Sequence, residues 1–444
     1  MMHGDSVQGR SRSSYENGDN GTSFLQLVLA LGSENFMGTL ALILAFGSIS
    51  CGFGFVIVFG DSGFFSVCDY GAVGDGVTDD TGAFLEAWQA TCSTQFENPT
   101  MIIPDNYTFL VHQLTFSGPC NAKKITFLVL GNINAPTSPR AWTDLDPSSW
   151  MTFHGIDQLR VSGFGTIDGQ GSKWWNQSCR YHPHLEGCTS LAPTAMKFLS
   201  CSASSLNNIK LVNSPQTHVL IRGCRFFDIG NLLIEAPGTS PNTDGIHIQS
   251  SQHVSIANAV IGTGDDCISI GDYTSNIYVS SVTCGPGHGV SIGSLGRRGN
   301  FVQVENIHVS NVQFKHTTNG ARIKTWQVGK GYVRRITFEH LKFDSVKNPI
   351  IIDQNYCSIR GACKEMPTGV HISNVAYVGQ SGTSSTDVAI NLNCSRSVAC
   401  TRIVLESIEL MSANMDRQVT SSCLNAHGNA IGVRASRVSS GVVR

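Results

Sequence analysis

From about Asn208 onward the chain repeats one hydrophobic–polar figure: asparagine or a similar turn residue, branched apolar residues in alternation, then small polar ones. It appears as NIKLVNS at Asn208, HVSIANA at His253, NIYVSSV at Asn276, NIHVSNV at Asn306, VRRITFEH at Val333 and GVHISNV at Gly369. Second short strands lie between these, as GIHIQS at Gly245, CISIGD at Cys267, GVSIGS at Gly289, ARIKTW at Ala321 and PIIIDQ at Pro349. Alternation of period two predicts strands, and no helical pattern separates them, which disfavours βαβ units and leucine-rich repeats. The figure returns after about 22 to 30 residues, the range of solenoids. Short strands separated by Gly, Ser or Asn turns stack as coils of a parallel β-helix, each strand pairing with its equivalent one coil away. A β-sandwich has no need of such regular spacing.

The segment Asp79–Cys92, DDTGAFLEAWQATC, has helical periodicity instead. Ala83, Ala87 and Ala90 share a face, with Phe84, Leu85 and Trp88 alongside. Such a helix caps the open N-terminal end of a solenoid and covers strand edges that would otherwise be exposed. The fold expected is all-β, a parallel β-helix over 64–444 with a short N-terminal capping helix and no internal linker.

The residues before it differ in kind. Residues 1–35 form a polar leader with only Arg10 and Arg12 as cations, and Phe36–Gly60 is almost uncharged. That run is long enough to cross a bilayer as a helix, and Ser48 and Ser50 offer a signal-peptidase site. A cleaved signal and an uncleaved anchor both remain open. The cleaved form is favoured because the folded domain begins soon after, near Phe64.

Composition narrows the function. With 30 Lys+Arg against 32 Asp+Glu, the formal charge is -2, so nothing indicates nucleic-acid binding, and an acidic ligand needs a local basic patch. The 46 glycines fit a turn-rich β protein. Fifteen cysteines without a close CxxC pair point to disulfides in an oxidising compartment and signal no structural zinc. Glycosylation acceptors at Asn20, Asn106, Asn176 and Asn393 agree with secretion.

Four clusters carry candidate chemistry: Asn242-Thr243-Asp244, Gly264-Asp265-Asp266-Cys267, Gly287-His288-Gly289 and Arg322-Ile323-Lys324. Asp244, Asp266 and His288 are evenly spaced, so in a solenoid they stand above one another on successive coils. Arg322 and Lys324 follow on the next coil, two residues apart and therefore on one face. Carboxylates stacked about 5 Å apart cannot all ionise freely, and one proton is retained. A protonated carboxyl beside an ionised one is what glycoside hydrolysis requires. An acidic pair alone is more often a turn or a solvated charge. Oxygen ligands on adjacent coils also suit calcium, but the flanking glycines and the basic pair argue against it. Nine Lys/Arg against two Asp/Glu between Cys284 and Lys342 make a patch fit for a polyanion.

The strings SPNTDGIHI, GDDCISI, CGPGHGVSIGSLG and RIKTWQ, in this order, resemble the four signature motifs of the polygalacturonases of glycoside hydrolase family 28, the plant enzymes in particular. DYGAVGDGVTDDTGAF and IIIDQNYC are similar to further family segments, and the likeness runs from about Phe64 to about Val433. The resemblance implies a right-handed β-helix and inverting hydrolysis of α-1,4-linked galacturonic acid in the cell wall. It implies Asp265 as general acid, Asp244 and Asp266 as holders of the attacking water, and His288 as the residue that orients the acid. Arg322 and Lys324 would bind substrate carboxylates, with Asn242 and Tyr356 lining the subsites. No metal or organic cofactor is implied. The partner is a pectic polysaccharide, and the expected state is a secreted monomer without stable membrane insertion unless 36–60 stays uncleaved. The same resemblance pairs Cys267 with Cys284 and Cys357 with Cys363. A cysteine of the usual plant tail is missing, which leaves one of Cys394, Cys400 or Cys423 unpaired. Alternatives are an exo-acting or a xylogalacturonan or rhamnogalacturonan hydrolase, a calcium-dependent pectate lyase, and an inactive pectin-binding β-helix.

Overall fold

The computed structural model describes residues 63–357, 363–414 and 416–434. The leader 1–35, the apolar run 36–60, the acceptor Asn20 and the last ten residues lie outside them. Among the described residues no helix is long and apolar enough to cross a membrane.

The alternating segments form a right-handed parallel β-helix, and every strand pair near the site is parallel. Among the described residues one sheet has 11 strands, and the strands of the remaining sides join into a second sheet of 20. Six consecutive strands of the smaller sheet matter for the site: β1 Val219–Arg222, β2 Ile246–Gln249, β3 Ile268–Ile270, β4 Val290–Leu295, β5 Asn319–Trp326 and β6 Asn348–Tyr356. Their register explains the sequence pattern. Ile221, Ile248, Ile270, Ile292, Ile323 and Ile352 stack in one inward column, all fully buried. Each such side chain contributes roughly 1.5–3 kcal/mol through its burial. Nearer the N-terminus the core becomes aromatic: Phe116, Phe153 and Phe198 stack at centroid distances of 4.9 and 5.1 Å.

The steps between coils are regular only around the site. Ile246 pairs Ile268 and Ile268 pairs Val290, two steps of 22 residues. Elsewhere Met151 pairs Met196 and Ile350 pairs Ile390, steps of 45 and 40, beyond the interval that the sequence suggested. The excess leaves as loops; one carries the short helix Ser172–Trp175 and the Cys179–Cys188 disulfide. Coils also precede Asn208, beginning with the strand Phe64–Ser66.

The capping helix α1 spans Thr81–Ser93 and buries Ala83, Phe84, Ala87, Trp88 and Thr91. Leu85 is exposed, because it lies off the face that Phe84 and Trp88 define. Trp88 packs against Phe116 and Phe153 and donates from Nε1 to the Ser117 carbonyl at 3.1 Å, so the helix closes the stack of phenylalanines.

Five disulfides join described cysteines: Cys92–Cys120, Cys179–Cys188, Cys267–Cys284, Cys357–Cys363 and Cys394–Cys400. Cys68 is disulfide-bonded as well. Both pairings implied by the motifs are present. Of the three C-terminal candidates, Cys423 is the one left free, and Cys201 and Cys224 are free and buried.

Candidate active site

The site grows from the N-terminal ends of β2, β3 and β4. The Gly245 N–H donates to the Asp266 carbonyl and the Cys267 N–H to the Gly289 carbonyl, which continues the 22-residue register and puts Asp244, Asp266 and His288 at matching positions on three coils. Gly264 and Gly289 allow this close stacking. A Cβ at Gly264 would lie 1.9 Å from the Ser240 carbonyl oxygen, and one at Gly289 2.1 Å from that of Asn319. Gly289 also has φ +86, a left-handed conformation that L residues rarely adopt.

Asp265 is nearly buried and collects donors. Its Oδ1 accepts from the Asp266 N–H at 2.9 Å and lies 2.9 Å from His288 Nδ1; its Oδ2 accepts from Asn242 Nδ2 at 3.3 Å. The His288 N–H donates to the Asp265 carbonyl at 2.7 Å, so both residues are tied at backbone and side chain. Asp266 is buried deeper. Arg322 Nη2 reaches its Oδ1 at 2.6 Å and Lys324 Nζ its Oδ2 at 2.9 Å. Burial works to raise its pKa, but the two cations outweigh it and hold the carboxyl at about 2. Asp244 is the opposite case. Loss of solvent, reinforced by the charges of Asp265 and Asp266, pushes it well above the ordinary carboxylate range. Within the cluster, burial and like charge thus favour the acid form of Asp244, while the two cations favour the ionised form of Asp266.

Three supporting residues are absent from the candidates chosen in the sequence. Ser269 donates to Asp244 Oδ2 at 2.8 Å and stands 2.6 Å from His247 Nδ1. Ser291 donates to Asp266 Oδ1 at 2.8 Å and accepts from Arg322 Nε at 2.8 Å. His247, Ser269, Ser291 and Arg322 occupy one outward column of β2 to β5. The signal was available: each of the three missed residues is the polar one between two branched ones, in IHI, ISI and VSI. Burial depresses the pKa of His247 to about 4, keeping its imidazole neutral.

The cations differ from expectation in one respect. Arg322 and Lys324 share a face, as their spacing requires, but both turn onto Asp266 and do not stand free. Tyr356 sits one coil beyond Trp326, its ring 5.6 Å from Lys324 Nζ and 5.3 Å from the Trp326 ring. Every residue singled out in the four motifs, with Tyr356, thus lies on this one stretch of sheet. Asp265, Asp266 and His288 present oxygen and nitrogen atoms within 4.8 Å of one another, a set able to converge on a cation. Both Asp266 oxygens, however, already face Arg322 and Lys324. Asn393 is engaged with Asp353 and Asn355 on the same sheet, which argues against its use as a glycan acceptor.

A buried carboxyl held ionised by two cations, next to one whose pKa burial raises, on one flank of a parallel β-helix, is the arrangement that acid–base cleavage of a polysaccharide calls for. The model of the family described as Glycosyl hydrolases family 28 matches residues 92–436. The chain is 43% identical over 366 residues to a protein named Probable polygalacturonase from Arabidopsis thaliana, covering 82% of each. It is 41% identical over 360 residues to the polygalacturonase of Persea americana, covering 81% of this chain and 76% of that one. Among solved structures it superposes on an endo-xylogalacturonan hydrolase from Aspergillus tubingensis with a TM-score of 0.70 at 20% identity, covering 83% and 100% of the two chains. For a polygalacturonase from Erwinia carotovora the TM-score is 0.62 at 22% identity, with coverage of 82% and 94%. At these identities the structural likeness concerns the fold. The chain belongs to glycosyl hydrolases family 28 and is a glycoside hydrolase.

Proposed function

We propose that the protein is a polygalacturonase that hydrolyses α-1,4-galacturonosyl linkages of pectic homogalacturonan by general acid–base catalysis. The observation that carries this is the split within the carboxylate cluster, with Asp266 held ionised by two cations and Asp244 pushed toward its acid form. Such a split supplies both a base and a mobile proton within one site.

Asp265 gives a proton to the glycosidic oxygen as the bond to the anomeric carbon breaks. Its Oδ1 is committed to the Asp266 N–H and His288, so Oδ2, which accepts only the 3.3 Å bond from Asn242, takes the cluster's mobile proton from Asp244 and passes it to the leaving oxygen. The water held by Asp244 and Asp266 attacks the anomeric carbon and passes its proton to the ionised Asp266. His288 fixes the orientation of the acid. Arg322 and Lys324 bring two charges to the one on Asp266, and the surplus attracts the carboxylate of a galacturonosyl unit beside Asn242 and Tyr356. Inversion follows the motif resemblance and not the spacing. Asp265 and Asp266 approach within 4.8 Å, closer than the roughly 6.5–9.5 Å usual for inverting pairs.

The disulfides suit an oxidising compartment, and with a cell-wall polymer as substrate we place the protein outside the cell, as a monomer. Release of reducing ends from polygalacturonate by the wild type and by Asp265→Asn is the test. The expected result is activity in the first and a loss of several orders of magnitude in the second, with binding retained. Equal rates refute the assignment of Asp265, and unsaturated products sensitive to EDTA would replace hydrolysis with a lyase reaction.

A further inference from the structure

The cation excess between Cys284 and Lys342 does not gather at the aspartates. Arg322 and Lys324 are there, but Lys315, Lys330, Arg334, Arg335 and Lys342 belong to strands Phe301–Lys315, Lys330–Glu339 and Lys342–Val346 of the larger sheet. Two of them open onto a groove of about 490 Å³ that none of the motif residues lines. Its walls are Phe301, Tyr332, Arg334, Arg335, His371 and Arg402, drawn from four adjacent coils. The register makes the assembly orderly. Arg335 and Arg402 fall in one column of left-handed bends that also holds Asn306 and Asn374, and His371 pairs with Tyr332 one coil away.

The charges there do not balance. Glu305 accepts from Arg334 Nε at 2.7 Å and Arg335 Nη2 at 2.5 Å, and Arg335 Nε also donates to Asn306. Glu305 thus faces two guanidinium groups, and no carboxylate lines the groove beside the third, Arg402. The side chains of Arg402 and His371 have no hydrogen-bond or ion-pair partner among the described residues. The Arg334 guanidinium carbon lies over the Tyr332 ring, 4.2 Å from its centroid, a cation–π contact that helps to fix the group. At the rim Phe301 and Tyr273 are each about half exposed (52%), and the Tyr273 hydroxyl donates to the Phe301 carbonyl at 3.1 Å. A purely structural role explains the Arg334–Glu305–Arg335 group. It does not explain the surplus charge and the unpartnered Arg402 beside exposed aromatic rings in a protein of net charge -2. Forked guanidinium donors match carboxylates, and flat rings cover the apolar face of a pyranose.

We propose that this groove is a second, non-catalytic binding site for a carboxylated polysaccharide, holding a polygalacturonate chain on a different sheet from the one that cleaves it. The choice of polygalacturonate rests on the function proposed above; the site itself rests on the groove. It keeps the enzyme on its polymer between cleavages and leaves the chemistry at Asp265 untouched.

The test combines Arg402→Ala with His371→Ala, two exposed residues whose removal leaves no buried partner. Affinity electrophoresis through gels containing polygalacturonate, in an Asp265→Asn background, reads binding without cleavage. Retention is expected to weaken by about three- to tenfold, the scale of one lost ion pair or two at a surface. In the active background, kcat/KM on trigalacturonate, too short to engage both sites, is expected to stay unchanged. Unchanged retention overturns the proposal. So does an equal loss on trigalacturonate, which would place the effect in the cleft or in the fold. Dextran sulfate retained as strongly, with the same dependence on Arg402 and His371, overturns the assignment to a uronate. If the wild type binds polygalacturonate through this pair but releases no reducing ends from it, the hydrolytic reading fails and the groove stands.

Discussion

Asp244 and Asp266 are the same residue type on adjacent coils, and the protein treats them oppositely. Asp266 has two cations within 2.9 Å, whereas the surroundings of Asp244 are chiefly a lost hydration shell and two like charges. A carboxyl whose pKa falls on folding contributes stability above its unfolded value of about 3.9 and loses it as pH falls toward 2. A carboxyl whose pKa rises contributes below its unfolded value, and that contribution is lost as pH rises through the folded one. Burying Asp244 therefore costs stability at neutral pH, because its carboxyl, ionised in the unfolded chain, must take up a proton or hold a disfavoured charge. We expect Asp244→Asn to raise the melting temperature at pH 7 but not at pH 3, while abolishing hydrolysis. Asp266→Asn leaves Arg322 and Lys324 without their counter-charge and is expected to cost roughly 3–5 kcal/mol, as broken buried pairs do. Urea denaturation of the two variants at pH 7 should shift in opposite directions; a shift of both to lower urea removes this account of Asp244. The sequence made the aspartates and His288 visible because 22-residue spacing is a statement about register. It did not show that Arg322 and Lys324 turn back onto Asp266, since spacing gives the face of a strand but not the side-chain torsion. Ser269 and Ser291 were passed over because a serine in a strand is ordinary until its neighbours one coil away are known.

At the scale of elements, strands were easier to foresee than loops. The alternation in NIHVSNV follows directly from one face being packed and the other wet. The larger steps, from Met151 to Met196 for example, carry no periodic signature because their extra residues leave the stack. The early coils were harder to see for another reason: their inward positions hold Phe116, Phe127 and Phe153 in place of the repeated Ile and Val, so like segments look unlike. The helix α1 was visible through its 3.6-residue period. Its work is to bury the last open layer of this aromatic stack. Trp88 is 4% exposed and contacts two of the stacked rings. Trp88→Ala is expected to destabilise the domain by about 3–5 kcal/mol through the cavity and the lost contacts. The aspartates lie several coils away, so specific activity at 25 °C should remain near wild type in the fraction that is folded. Guanidinium denaturation and an activity assay on the same preparation check both halves. Loss of activity without loss of stability would mean that the cap communicates with the site.

For the whole molecule, the charge distribution matters more than its sum. A net charge of -2 gives a polyanion no overall attraction, so the substrate must be drawn by local surpluses, at Arg322 and Lys324 and along the groove of Arg334, Arg335 and Arg402. Surpluses of this kind are read at short range and are screened differently according to burial. The cations at the aspartates are about nine-tenths shielded from solvent, whereas in the groove Arg334 and Arg335 are 40% and 50% exposed and Arg402 is exposed. Salt shortens the Debye length from about 10 Å at 0.1 M to about 3 Å at 1 M, and it weakens exposed charges far more than buried ones. On a long polygalacturonate, added NaCl is therefore expected to raise KM severalfold with little change in kcat, since the ionised state of Asp266 is protected. On trigalacturonate, which reaches only the cleft, the rise in KM should be smaller. Initial rates across both substrates at 0.05 and 0.5 M NaCl separate the terms. A fall in kcat on the trimer would show that the Asp266 cluster itself feels the salt, contrary to its burial. Equal rises in KM on the two substrates would show that the polymer gains nothing from charges outside the cleft.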